Sequence, residues 1–275
     1  MSGATLFEAG LRRDRWLVVG GLVGVTVASW LFVLDGAGTG MSTLGMSGLD
    51  LALGGGMRMA MAPAVWSPDY ALIMFVMWWV MMVAMMLPSA SPTLLLYAGM
   101  ERRRDTGDGV RGRGAAGRVA LFAFGYLAVW GGFSLLATAA QWGLERSGLL
   151  SFMMASTTPW LGGILLLAAG LWQFAPFKQA CLRHCRSPLS FLMMSWRPGA
   201  AGAFRMGAVH GLFCLGCCWF LMALLFYGGI MNLWWIGGPA LFVLLEKVLP
   251  AGHWFGYAVG AALAGWGIWL FATAA

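Results

Sequence analysis

His210, Cys214, Cys217 and Cys218 lie in the string VHGLFCLGCCWFLM. At about 100° per residue these offsets place all four on one side of a helix, with Met206 on the same edge. Thiolate and imidazole are donors for soft and borderline transition metals. Neighbouring Cys217 and Cys218 cannot easily both reach one ion from a regular helix, so the expected set is Cys214 with Cys217 or Cys218, plus His210. Packing is the competing reading, because a buried Cys behaves as a small hydrophobe. A buried His weighs against it, since the ring needs a hydrogen-bond partner or a ligand.

Two more thiols, Cys181 and Cys185, stand one helical turn apart in FKQACLRHCRSP, with His184 between them. Lys178, Arg183 and Arg186 crowd them in sequence, and positive neighbours favour thiolate, ready to bind a soft ion or to exchange disulfides. A helix at the inner rim of the membrane whose cysteines pack, or carry a reversible palmitoyl group, reads the same way.

Thioethers extend the pattern. In YALIMFVMWWVMMVAMMLPSASP, Met74, Met77, Met81 and Met85 fall within one narrow arc, with Met82 and Met86 on its flank. Met77, Met81 and Met85 repeat at every fourth position, which stacks sulfurs one turn apart, and thioethers select Cu(I) over hard cations. Met is also an adaptable filler of helix interfaces, so packing remains open. Pro88 and Pro92 are expected to interrupt this helix by removing donors to carbonyls near Ala84 and Pro88, with Ser89 and Ser91 suited to replace them. Upstream, Met41 and Met46 precede an alternating tract of Met57, Met59 and Met61 in a Gly-rich segment. Exposed Met oxidises unless it is used, which points to soft-metal capture, although alternation also suits a short amphipathic strand.

Glu246 and Lys247 close a later apolar run. They read either as an interfacial pair that snorkels to the headgroups or, for Glu246, as a carboxylate that accepts the second N–H of the His210 ring. Asn232, near the other end of that run, reads as a turn or interhelical hydrogen-bond residue.

The composition says what kind of scaffold holds these donors. Of 275 residues 60% are hydrophobic and 10% charged, against roughly 25% charged in a soluble domain. Several apolar runs reach the roughly 20 residues that cross a bilayer. The expected fold is all-α: a polytopic helix bundle with seven spans near 16–34, 70–97, 119–141, 160–174, 206–227, 230–249 and 254–271. The first run reads as an uncleaved helix rather than a signal peptide. With the N-terminus inside and the C-terminus outside, fifteen of the seventeen basic residues fall on the inner side, and only Arg58 and Arg146 do not. The net charge of +7 thus orients helices, and nucleic acid is excluded as a partner in favour of the lipid bilayer. No connector is long enough for a second domain, so residues 1–275 read as one integral-membrane domain. Five clustered cysteines do not make a secreted disulfide scaffold. No Walker loop, dinucleotide fingerprint, H-E-x-x-H or G-x-S-x-G motif is present, so ATP-driven pumping and those hydrolase chemistries have no visible machinery.

The strings MMVAMMLPSASP (Met81 to Pro92), WQFAPFKQACLRHCRSP (Trp172 to Pro188), GLFCLGCCWFLM (Gly211 to Met222), MNLWW (Met231 to Trp235) and LLEK (Leu244 to Lys247) resemble the shared segments of the bacterial predicted metal-binding integral membrane proteins classed as domain of unknown function 2182. The resemblance implies a helical membrane fold in the bacterial cytoplasmic membrane and metal binding, without naming the metal. The donors point to transport or delivery of a soft transition metal: Cu(I) first, Zn second, because Zn takes Cys and His but rarely Met. Two other functions fit the same residues. One is a non-transporting partner in the assembly of a copper enzyme or oxidase complex; the partners expected besides lipid are such a membrane copper-enzyme complex or a metallochaperone. The other is a membrane thiol oxidoreductase, disfavoured because adjacent cysteines make a strained disulfide. Apart from that third case no enzymatic role is expected.

Overall fold

Apolar runs that lack charges for four or five turns satisfy their backbone groups internally, and in this chain they form helices almost everywhere. The computed structural model describes residues 3–39, 43, 47, 66–107, 113–151 and 154–274. The helices are α1 (Gly3–Leu34), α2 (Pro68–Gly107), α3 (Arg113–Arg146), α4 (Pro159–Trp172), α5 (Pro176–Arg186), α6 (Pro188–Ser195), α7 (Gly199–Ala223), α8 (Leu225–Gly228), α9 (Leu233–Val248) and α10 (Gly252–Ala274). Among the described residues there is no strand, only an isolated antiparallel bridge between Leu150 and Ser156.

Four segments are long and apolar enough to cross a membrane: Pro68–Arg104, Gly114–Arg146, Gly199–Gly228 and Gly252–Ala274. α4 and α5 meet the same test only together, across a 63° bend, which makes up to five. Each of the seven segments expected from the sequence coincides with a helix, but the apolar part of α1, Val18–Leu34, is short, and α9 has 16 residues.

α2 runs unbroken through Pro88 and Pro92, so the expected interruption does not occur. Pro92 removes the donor to the Pro88 carbonyl, and Ser91 Oγ donates to that oxygen instead at 2.8 Å. Ser89 Oγ (2.9 Å) and Tyr126 Oη from α3 (3.2 Å) donate to the nearby Met86 carbonyl, the latter tying α3 to this part of α2.

Glycines bring the central helices together. A Cβ on Gly207 of α7 would sit 1.9 Å from the Phe122 carbonyl oxygen of α3, and one on Gly125 would sit 2.2 Å from that of Phe204. Only bare backbones approach this closely, the small-residue packing usual in membrane bundles. The contact sets Tyr126 of α3 against the cysteine face of α7. α4 and α10 use the same device at Gly170 and Gly260. α9 begins at Asn232, whose Oδ1 accepts from Trp234 N at 3.0 Å, so Asn232 is a helix cap.

Candidate metal centre

His210, Cys214, Cys217, Cys218 and Met206 are all buried in the bundle. Helical periodicity puts them on one side of α7, and packing by α2, α3, α5 and α9 covers that side. Their surroundings differ. Met206 Sδ accepts from the Arg197 amide at 3.1 Å, away from the thiols. His210, 2% exposed, lies among Phe122, Tyr126 and Phe191 with ring centroids 5.3 to 6.3 Å away, and its Nδ1 is buried without a hydrogen bond. Cys217 and Cys218 both donate to the Cys214 carbonyl at 3.0 Å. Cys214 Sγ faces Tyr126 Oη at 3.1 Å and accepts from Lys247 Nζ at 3.0 Å.

Sequence spacing places Cys181 and Cys185 at the inner rim, as a site separate from the α7 thiols. The fold joins the two. After Trp172 the chain bends and α5 runs against α7, bringing Cys181 so close to Gly216 that a Cβ there would lie 2.8 Å from its sulfur. Cys185 of α5 lies near enough to Cys217 of α7 for the two thiols to interact electrostatically. All five cysteines are free thiols. Two of the neighbouring cations turn elsewhere: Lys178 pairs with Glu246 and Gln173, and Arg186 donates to the carbonyls of Leu249 and Pro250. The buried thiols of α5 therefore lack the full crowd of positive charge that adjacency in sequence implied. His184 also leaves the cluster. It is exposed, stacks on Phe213 with centroids 4.1 Å apart, and its Nδ1 pairs with the Ala180 carbonyl.

Met77, Met81 and Met85 are buried, as are Met82 and Met86. The thioether that meets the thiols belongs to the flanking row: Cys218 Sγ points at Met86 Sδ, 3.9 Å away. At the other end, Met74 Sδ accepts from Gln141 Nε2 at 3.5 Å. Gln141 is also bonded to Trp78 Nε1 and to Glu145, which holds Trp66 Nε1. Met41, Met46, Met57, Met59 and Met61 lie outside the described residues.

Glu246 does not orient His210, and it does not snorkel with Lys247. Both acid and base are buried, and consecutive helix positions point in different directions. Glu246 Oε1 forms an ion pair with Lys178 Nζ, which also donates to Gln173 Oε1, while Oε2 has no partner. Gly256 leaves the space, since a Cβ there would meet the Glu246 carboxylate. Lys247 turns instead to the centre of the bundle, donating to Ser89 Oγ and Cys214 Sγ. Residue-by-residue reading missed Gln173 and assigned Lys178, Lys247 and Ser89 other partners. The available signal was a pair of opposite charges inside an apolar run, which helical geometry must send to separate partners.

Among the described residues no three His, Cys, Asp or Glu side chains converge closely enough to hold a metal ion. The sulfurs that meet where α7 packs on α2 are those of Cys218 and Met86, while the Cys217 and Cys218 thiols both turn to the Cys214 carbonyl.

The family model of PpoB2, a copper chaperone, matches residues 75–270. That range holds the methionines of α2 from Met77 onward and all five cysteines. No curated protein and no solved structure matches the chain. Soft donors buried between apolar helices are thus the interior of a chain that belongs to the PpoB2 copper chaperone family.

Proposed function

We propose that this protein carries Cu(I) within the bacterial cytoplasmic membrane, taking the ion from the outer face and delivering it to a copper-requiring partner. The supporting observation is a set of soft donors on three helices: Met86 on α2 faces Cys218 on α7 at 3.9 Å, and Cys217 on α7 is an electrostatic neighbour of Cys185 on α5. In this reading Met57, Met59 and Met61 capture the ion, and Met77, Met81 and Met85 with Met86 conduct it. Cys214 and Cys218 hold it, with His210 as a further donor that a small helix rotation brings in. Cys217 passes it to Cys185 and Cys181. The chain crosses the membrane seven times, N-terminus inside and C-terminus outside, with α1 and α9 as short spans fitted by local thinning of the bilayer. The resemblance to the domain of unknown function 2182 proteins supports the same metal-binding role.

A variation also compatible with a copper chaperone family is that the protein does not transport but hands copper to an enzyme during its assembly. Metal analysis under reducing conditions tests the common core. The purified protein binds Cu(I) more tightly than Zn, and the Cys214→Ser, Cys217→Ser variant binds fewer equivalents. Equal binding by variant and parent makes the cysteines packing residues and defeats the reading. Copper uptake into proteoliposomes then separates a transporter from an assembly partner.

A further inference from the structure

Lys247 is a buried cation that, among the described residues, no carboxylate bonds directly. It is 9% exposed, it lies on α9, and its ammonium donates to Ser89 Oγ of α2 and Cys214 Sγ of α7, each at 3.0 Å. The adjacent Glu246 is taken by Lys178, and Lys178 is itself enclosed with Gln173. A charge inside a membrane bundle persists only when paired. Of the two groups that Lys247 contacts, Cys214 is the one able to carry a negative charge as a metal ligand. Tyr126 Oη, 3.1 Å from the same sulfur, closes the other side.

Charge counting shows what this arrangement suits. A singly charged ion held by two thiolates leaves one negative charge in the bundle, and the Lys247 ammonium cancels it. A doubly charged ion on the same two thiolates is already neutral, so Lys247 leaves an excess positive charge. Uncompensated charge inside an apolar bundle is strongly disfavoured.

We propose that Lys247 is the fixed counter-ion of the metal site and sets its preference for a monovalent soft ion. Cys214 and Cys218 bind the ion as thiolates, each giving up its proton to solvent, while the ammonium stays beside Cys214 and neutralises the complex. Lys247 is therefore a specificity residue that touches a ligand rather than the metal. The inference rests on the copper-binding reading above.

The test is a charge-rescue cycle on full-length protein in detergent, titrated with Cu(I) against a competing chelator under reducing conditions. The affinity followed is the part abolished by Cys214→Ser. Lys247→Met leaves one excess negative charge on the complex, and the Cys217→Ser, Cys218→Ser background leaves one excess positive charge. Each is expected to weaken Cu(I) binding by about tenfold. Combined, the substitutions restore a neutral one-thiolate complex, so the triple variant binds more tightly than the Cys217→Ser, Cys218→Ser protein and loses less than the sum of the two separate effects. Lys247→Arg keeps the charge and stays close to the unaltered protein, and Lys247→Met does not weaken Zn. Additive losses, Cu(I) affinity unchanged in Lys247→Met, or a Lys247→Arg protein as impaired as Lys247→Met would each overturn the counter-ion while the copper-binding reading stands. If Lys247→Met does not fold, the Lys247→Arg comparison and resistance of bound Cu(I) to excess Zn in the unaltered protein decide the matter. Absence of any Cys214-dependent Cu(I) binding in the unaltered protein overturns both.

Discussion

Cys218 Sγ and Met86 Sδ face each other at 3.9 Å across the contact between α7 and α2. The thiol comes from the cysteine face of α7. The thioether comes from the row beside Met77, Met81 and Met85 rather than from that ladder. This contact joins the methionine-bearing side of α2 to the cysteine-bearing side of α7.

Replacing Met86 by Leu changes little in volume, so the protein should lose less than about 1.5 kcal/mol of stability. Loss of the sulfur should nevertheless slow filling of the thiol site by about threefold or more, a modest fraction of a ligand's worth. Stopped-flow transfer from a Cu(I) chelate measures it. The triple variant Met77→Leu, Met81→Leu, Met85→Leu should also fill slowly and reach the same final occupancy. Filling as fast as in the unaltered protein would remove α2 from the path.

Lys178 and Glu246 form a buried ion pair between α5 and α9. Removing one partner strands the other, so Lys178→Met should lower stability by about 3–5 kcal/mol. Glu246→Gln, which keeps the shape but strands Lys178, should be comparably harmful. Lys178→Met combined with Glu246→Gln should be milder than either alone. Thermal unfolding of the four proteins in one detergent gives the comparison, and strictly additive losses would rule out the pair as a unit.

Gly207→Ala places a methyl group 1.9 Å from the Phe122 carbonyl oxygen, where the neighbour is backbone and cannot turn aside. α3 and α7 must separate, at a cost of about 1–3 kcal/mol. Tyr126 then withdraws from Cys214. The expected outcome is a lower melting temperature together with weaker Cu(I) binding. By contrast, Gly132→Ala on α3 meets no atom within 4 Å and should change neither.

Reporter fusions or cysteine labelling should place the segment 98–118 inside and the C-terminus outside. An internal C-terminus would remove one span from the proposed seven and put the Met57, Met59 and Met61 tract and the inner thiols in the wrong compartments for the proposed path.

Much of this was legible in the chain. Uncharged apolar runs must close their own hydrogen bonds in lipid, which dictates helices, and helical periodicity sets His210, Cys214, Cys217 and Cys218 on one side of α7. The same periodicity aligned Met77, Met81 and Met85 on α2. What it does not specify is which side of one helix meets which side of another. That depends on close approaches such as Gly207 to Phe122 and on the bend between α4 and α5, which carries Cys185 to Cys217 and Cys181 to Gly216. Pairing of the buried charges depends on it too. Glu246 and Lys247 are neighbours in the chain, yet successive helix side chains diverge, so Glu246 goes to Lys178 and Lys247 to Cys214. Local geometry acts over a turn or two and is written in residue order, whereas a buried charge is satisfied by whichever opposite group the packing of distant helices brings within reach.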